Sequence, residues 1–135
     1  MTKIFVANRS YHDYSDAERF GELIYLTDGS LRSFSVSQMF RVVEDHLIDS
    51  SQEDIILISG LSVFNSLLCG YFSYAHGRLN MLIYKRKKSG PGHYEYKEVL
   101  MPQVWVALER KGDDLVEGQK HESGTDTGED GGGSS

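Results

Sequence analysis

Cysteine is nearly absent from this chain of 135 residues: Cys69 stands alone, inside an apolar run. A single cysteine can form no intramolecular disulfide and cannot build a cysteine-based metal site. The histidines at 12, 46, 76, 93 and 121 show no H-x₃-H spacing and no patterned carboxylate partner. Neither a metal nor a cofactor is therefore expected. Long hydrophobic runs are missing too. No apolar stretch approaches the ~20 residues of a membrane span, and "MTKIFVANRS" lacks the apolar core of a secretion signal. These absences point to a soluble cytoplasmic protein with no membrane partner.

Charge of one sign is concentrated at one end. From Lys111 the chain reads "KGDDLVEGQKHESGTDTGEDGGGSS", with seven acids, two bases, one Leu, one Val and no aromatic residue. Such a segment has too little apolar surface to offset its ordering entropy, so residues 111–135 read as a disordered acidic Gly/Ser-rich tail. That tail carries most of the chain's net charge of −6. The remaining body, read as a single domain over residues 1–110, is near neutral, and this argues against general DNA binding.

The body alternates between apolar runs and amphipathic stretches. Ile4–Ala7, Leu23–Thr27 and Ile55–Ile58 read as strands, the last apolar on both faces and so central. "RLNMLIYK" and the alternating "HYEYKEVLM" follow as two further strands joined by "RKKSGPG". Ser15-x-x-Glu18 has the form of a capping box, predicting a short helix that stops at Gly21. Ser35-x-x-Gln38 has the same form, and Val36, Met39, Phe40, Val43 and Leu47 recur behind it at helical spacing. "VFNSLLCGYFSYAHG" is too long for a strand and apolar nearly all round. It predicts a buried helix from about Ser62 to Ala75, capped at Gly77. The fold expected is α/β, a mostly parallel sheet with helices on both faces and an antiparallel C-terminal edge hairpin. Beyond Pro102, "VWVAL" reads as a sixth strand, a docked extension or a partner contact.

In such sheets ligands collect beyond the carboxyl ends of the strands. There stand Asn8, Arg9 and Ser10 after the first strand, and Ser59, Gly60 and Ser62 after the third, with Asn65 one turn on. Gly60 would let a ligand approach the backbone, and the helix start near Ser62 would attract phosphate or carboxylate. Arg9 would supply a guanidinium, and Asn8, Ser10 and Asn65 would read a sugar or base. Plainer readings stand beside these. Ser59–Ser62 would be a tight turn with Ser62 as N-cap, and Arg9 a brace to Asp13 or Glu18. The chain has neither a Walker A loop nor a dinucleotide fingerprint. His12 and Asp13 are weak candidates for acid–base work, since a carboxylate can hold an imidazole's tautomer; neighbours in sequence usually point apart, and a structural loop histidine is the favoured reading. Ser10, Ser59 and Ser62 lack a nucleophile-elbow context. His76 fits a helix C-terminus, where a positive group favours the dipole.

Lys85–Lys88 with Tyr84, His93, Tyr94 and Tyr96 combine base and aromatic, as single-stranded nucleic-acid sites do. The same charges also protect an edge hairpin from aggregation, and with a near-neutral body that solvated-hairpin reading is the favoured one. Ser62, Ser66, Gly70 and Ser73 form a small-residue stripe, suited to packing within the monomer or to a two-fold homodimer.

The segments "NRSYHDYSDAERFGE" and "HGRLNMLIYK" resemble small proteins encoded by tailed bacteriophages, over roughly residues 3 to 101. That resemblance attaches no activity. It implies the cytoplasm of a host cell and an accessory role, modulating host metabolism or defence by binding a protein or sequestering a nucleotide. The combined reading is a non-catalytic protein that binds a phosphorylated or nucleotide-like molecule. The alternatives are a small enzyme acting on a nucleotide or nucleoside through His12 and Asp13, or a module that binds a host protein.

Overall fold

A computed structural model describes residues 1–102, of which Met1–Met101 forms one compact unit. Five strands, β1 (Lys3–Arg9), β2 (Glu22–Asp28), β3 (Ile55–Leu57), β4 (Arg78–Lys85) and β5 (His93–Leu100), make one sheet in the order β2-β1-β3-β4-β5. The first four are mutually parallel, and β5 returns antiparallel along β4. Ile55, Ile56 and Leu57 are all buried, as expected for the middle strand of five.

The chain steps outward from β1 to β2 and then back past β1 to β3 and β4. Right-handed crossovers running in opposite directions must leave from opposite faces of the sheet. Accordingly α1 (Val36–Leu47) and α2 (Ser62–His76) share one face, where Val43, Leu47, Phe64, Leu68 and Phe72 pack on Phe5, Ala7 and Ile56. Among the described residues the other face carries only a 3-10 helix, Ser15–Phe20, whose Ala17 packs with Ile4, Val6, Leu57, Leu82 and Tyr94. Six residues of 3-10 helix, two short turns, cannot cover a sheet, so the β4–β5 hairpin contributes Tyr84 and Tyr94 to this second core.

Local signals succeed at α1 and fail at two other helix starts. At α1 both arms of the capping box form: Gln38 N–H donates to Ser35 Oγ at 3.2 Å, and Ser35 N–H to Gln38 Oε1 at 2.7 Å. The Ser15 box does not form. The N-cap there is Tyr14, and Ser15 donates its own N–H to Asp13 Oδ1 at 2.9 Å, so the aspartate closes the loop before a serine cap can act. Ser62 is not an N-cap either. It is the first helical residue, and Leu61 is the N-cap, with no side chain capping the end. At the far end Gly77 closes α2 with φ 68°, the left-handed conformation that glycine supplies at least cost. "VWVAL", the tail and residues 103–110 of the expected domain lie outside the described residues. Among the described residues no helix is long and apolar enough to cross a membrane.

Candidate functional site

Three segments meet beyond the carboxyl ends of β1, β3 and β4. The β1 loop brings Ser10, His12 and Tyr14, and the β3–α2 turn brings Ile58, Ser59 and Gly60. The β4–β5 hairpin adds Tyr84 and Tyr94, which face each other across the antiparallel ladder. Together they enclose a cavity of about 270 Å³. A wider recess of about 630 Å³ adjoins it, sharing His12, Tyr84 and Tyr94 and adding Asp13, Asp16 and Gly92.

The walls are aromatic and fixed by hydrogen bonds. Ser10 Oγ lies 3.1 Å from the Tyr14 hydroxyl and accepts the His12 backbone N–H at 3.3 Å. The His12 ring sits 5.0 Å from Tyr14 and meets Tyr84 edge-on at 5.4 Å, while Tyr84 meets Tyr94 at 5.2 Å. The Gly92 N–H donates to the Tyr84 hydroxyl at 3.1 Å, tying that ring to the hairpin neck. Tyr94 is held from behind: its N–H donates to Asp16 Oδ2 at 2.7 Å, and its carbonyl accepts from Arg19 at 2.6 Å. Burial pushes the Tyr94 phenol well above the ordinary tyrosine range, so it stays a neutral donor. Asp16 and Asp13 are held below the usual carboxylate range by the N–H groups of Tyr94 and Ser15 respectively. Among the described residues the result is a small recess of rings and hydroxyls without a lysine, arginine or carboxylate, adjoining a larger one with two carboxylates. Such walls suit a flat ring, which edge-to-face contacts grip while hydroxyls read its polar rim.

The family model described as Phage Pam3 gp32-like protein matches residues 2–101. The chain belongs to this phage protein family. The match spans all five strands and both recesses. No curated protein and no solved structure matches the chain.

Within this gp32-like fold the residues expected at the site are divided. Ser10, Ser59 and Gly60 come together with His12. Asn8 and Arg9 do not join them; they line a separate cleft of about 560 Å³ with Asp28, Gly29 and Ser30, and Ser10 borders both spaces. Asn8 Nδ2 donates to the Gly29 carbonyl at 3.0 Å, and its Oδ1 lies 2.8 Å from the Thr27 hydroxyl, so its amide joins the ends of β1 and β2. Arg9 braces the loop as the plainer reading anticipated, but through Asp28 at 3.7 Å and the Tyr25 ring at 4.1 Å, not through Asp13 or Glu18. Ser62 borders a shallow apolar groove with Leu61, Val63, Leu31 and Met39. Asn65 is buried and sits behind the site: its Nδ2 donates to the Ser59 carbonyl at 2.8 Å and lies 3.1 Å from Ser59 Oγ. Its Oδ1 is buried with no partner among the described residues.

His12 and Asp13 point to different tasks, since Asp13 holds Ser15 while the imidazole packs on tyrosines. Among the described residues no group of His, Cys, Asp and Glu is arranged to hold a metal ion. Sequence reasoning missed Tyr14 entirely and placed Tyr84 and Tyr94 on the hairpin without linking them to the strand ends. The available signal was Tyr84 one residue before the end of β4 and Tyr94 one residue after the start of β5, positions that a hairpin sets opposite each other.

Proposed function

We propose that this phage protein is a non-catalytic accessory protein whose strand-end cavity takes a nucleotide-like small molecule. The observation that carries the reading is position. The strand order reverses between β1 and β3, and the cavity opens at that reversal, where diverging loops leave room for a ligand in open α/β sheets. The ligand's ring would lie against Tyr84, Tyr94 and His12, with Ser10 and Ser59 hydrogen-bonding its rim. A phosphate would sit beyond Gly60, toward the start of α2, whose first N–H groups no side chain caps. Asn65 would hold Ser59 in place, and Arg9 would stand at the neighbouring cleft.

Binding is favoured over turnover by what surrounds the candidate catalytic groups. Asp13 holds the Ser15 N–H while the His12 ring packs on Tyr14 and Tyr84, with no hydrogen bond between the two among the described residues, and burial pushes the Cys69 thiol up, away from the reactive thiolate. In a host cell such a protein would act by withholding its ligand from host metabolism or defence.

The test is native mass spectrometry of the full chain purified from a bacterial host, followed by titration with mono-, di- and cyclic nucleotides. A Cβ added at Gly60 meets open space, so Gly60→Leu should fold normally and obstruct the cavity. A nucleotide that binds the parent and not the variant supports the proposal. A parent that binds none of them, or a variant that binds equally well, removes it.

A further inference from the structure

The two edges of the sheet are treated differently by the sequence. At β5 the outward N–H and carbonyl of Tyr94 are both taken, by Asp16 and Arg19, and the rest of the strand carries Glu95, Lys97 and Glu98. Edge strands protected in this way do not invite another strand. At β2 the protection is missing. Glu22 donates its N–H to Thr2 on the β1 side, so the alternate residues Leu23, Tyr25 and Thr27 turn their N–H and carbonyl groups away from the sheet. No hydrogen bond among the described residues reaches those groups. The pairing with β1 runs at constant register with no bulge, and between Glu22 and Asp28 the strand is Leu-Ile-Tyr-Leu-Thr, without proline or charge.

We propose that β2 pairs antiparallel with β2 of a second copy of this chain, about a two-fold axis at Tyr25, making one continuous sheet across a dimer. The register follows from the backbone. Only an axis at Tyr25 sets all three outward residues of each chain opposite outward residues of the other: Tyr25 faces the partner's Tyr25, and Leu23 faces the partner's Thr27. Every free N–H and carbonyl of the three then finds a mate. This pairing also sets Asp28 opposite the partner's Glu22, a repulsion if nothing intervenes. Arg9 intervenes. Its Nε lies 3.7 Å from Asp28 Oδ2, its side chain is 58% exposed, and its remaining N–H groups are free of protein partners among the described residues. It can therefore take the partner's Glu22 carboxylate as well, closing each end of the interface as an acid–base–acid group. A foreign strand would need its own charges placed to match, whereas a second copy brings them by symmetry. The small-residue stripe of α2 lies on a helix, away from this edge, and has no part in the pairing. The ligand cavity opens at the β1/β3 reversal, so the dimer and the ligand are independent claims.

The experiment is sedimentation equilibrium of the full chain over a wide concentration range, combined with residue-resolved amide exchange at its two ends. The expected result is a concentration-dependent dimer in which the Leu23, Tyr25 and Thr27 amides slow by about tenfold or more as dimer forms. Ile24 and Leu26, bonded to β1, should be protected throughout. Arg9→Glu should weaken the dimer by about tenfold or more while leaving the monomer folded. Tyr25→Pro should abolish it by removing an N–H that pairs across the axis, while the monomer keeps its sheet because that N–H makes no bond among the described residues. If the proline variant does not fold, the exchange pattern of the unmodified chain decides. A monomer at all concentrations, a dimer whose Leu23, Tyr25 and Thr27 amides stay as fast as in the monomer, or a dimer indifferent to Arg9→Glu would each overturn the proposal.

Discussion

One methyl group added at Gly92 should disturb both the hairpin and the candidate site. A Cβ built there lies 2.5 Å from the Tyr84 ring and hydroxyl, and it collides with the Lys85 carbonyl across the neck of the hairpin. A side chain can rotate away from such a contact; a backbone carbonyl in the β4–β5 ladder cannot. Relief requires opening the Lys85–His93 end of the ladder or displacing Tyr84, which walls both recesses. Overpacking of this kind costs about 1–3 kcal/mol. In a domain of this size each kcal/mol lowers the melting temperature by roughly 4–8 °C, so Gly92→Ala should melt about 4–24 °C below the parent. Gly90, two residues earlier, separates sterics from backbone conformation. Its φ is 82° and an added Cβ meets nothing, so Gly90→Ala should cost about 1–2 kcal/mol through the left-handed backbone alone. Asparagine at 90 should recover part of that loss, and asparagine at 92 should recover none. Differential scanning calorimetry gives the melting temperatures, and the proton spectrum of Tyr84 reports whether its ring moves. A Gly92→Ala protein within about 0.5 kcal/mol of the parent, the usual range for an uncoupled surface change, would refute the close-approach argument.

Two further changes probe the frame of the sheet. Asn80 is buried, with Nδ2 donating to the Gln52 and Asp54 carbonyls at 2.7 and 2.8 Å, so Asn80→Leu leaves a buried acceptor at Asp54 and an exposed one at Gln52. The loss should be about 2–4 kcal/mol in urea unfolding, and less than about 1 kcal/mol would mean those carbonyls find other donors. Asp16, whose folded pKa is depressed chiefly by the Tyr94 N–H, contributes stability that is present above its unfolded pKa of about 3.9 and is lost as pH falls through the lower folded value. Acid should therefore free the Tyr94 amide before the rest of β5, and Asp16→Asn should flatten that part of the acid unfolding curve; superimposable curves would remove Asp16 as the acid-sensitive tie.

Much of the architecture is legible because it rests on local pattern. The apolar run Ile55–Ile58 marks a strand, Ile55–Leu57, buried on both faces, and Ser35 with Gln38 mark the start of α1, because those partners lie within one turn of each other. The same logic misleads at Ser15, where Asp13 reaches the N–H first, and at Ser62, where the helix begins one residue earlier than a serine cap allows. The first error arises where two local hydrogen-bonding schemes compete for the same N–H group, whereas at Ser62 no side chain caps the helix at all.

The site divides in the same way. That ligands would gather after β1 and β3 follows from a rule about strand order, and Ser10, Ser59 and Gly60 do meet. The sequence by itself determined the α/β alternation, the parallel strands with an antiparallel edge, and the polar character of the strand ends, since each depends on the periodicity or composition of a few neighbouring residues. Only the tertiary structure decided that Arg9 turns to Asp28 and Tyr25, and that Asn65 braces Ser59 from within the core. It also decided that Tyr14, Tyr84 and Tyr94, scattered over 80 positions, wall one cavity. The physical reason is that side chains at strand ends obey no period. Their direction is set by sheet twist, by loop hydrogen bonds and by partners distant in sequence, none of which a linear pattern records.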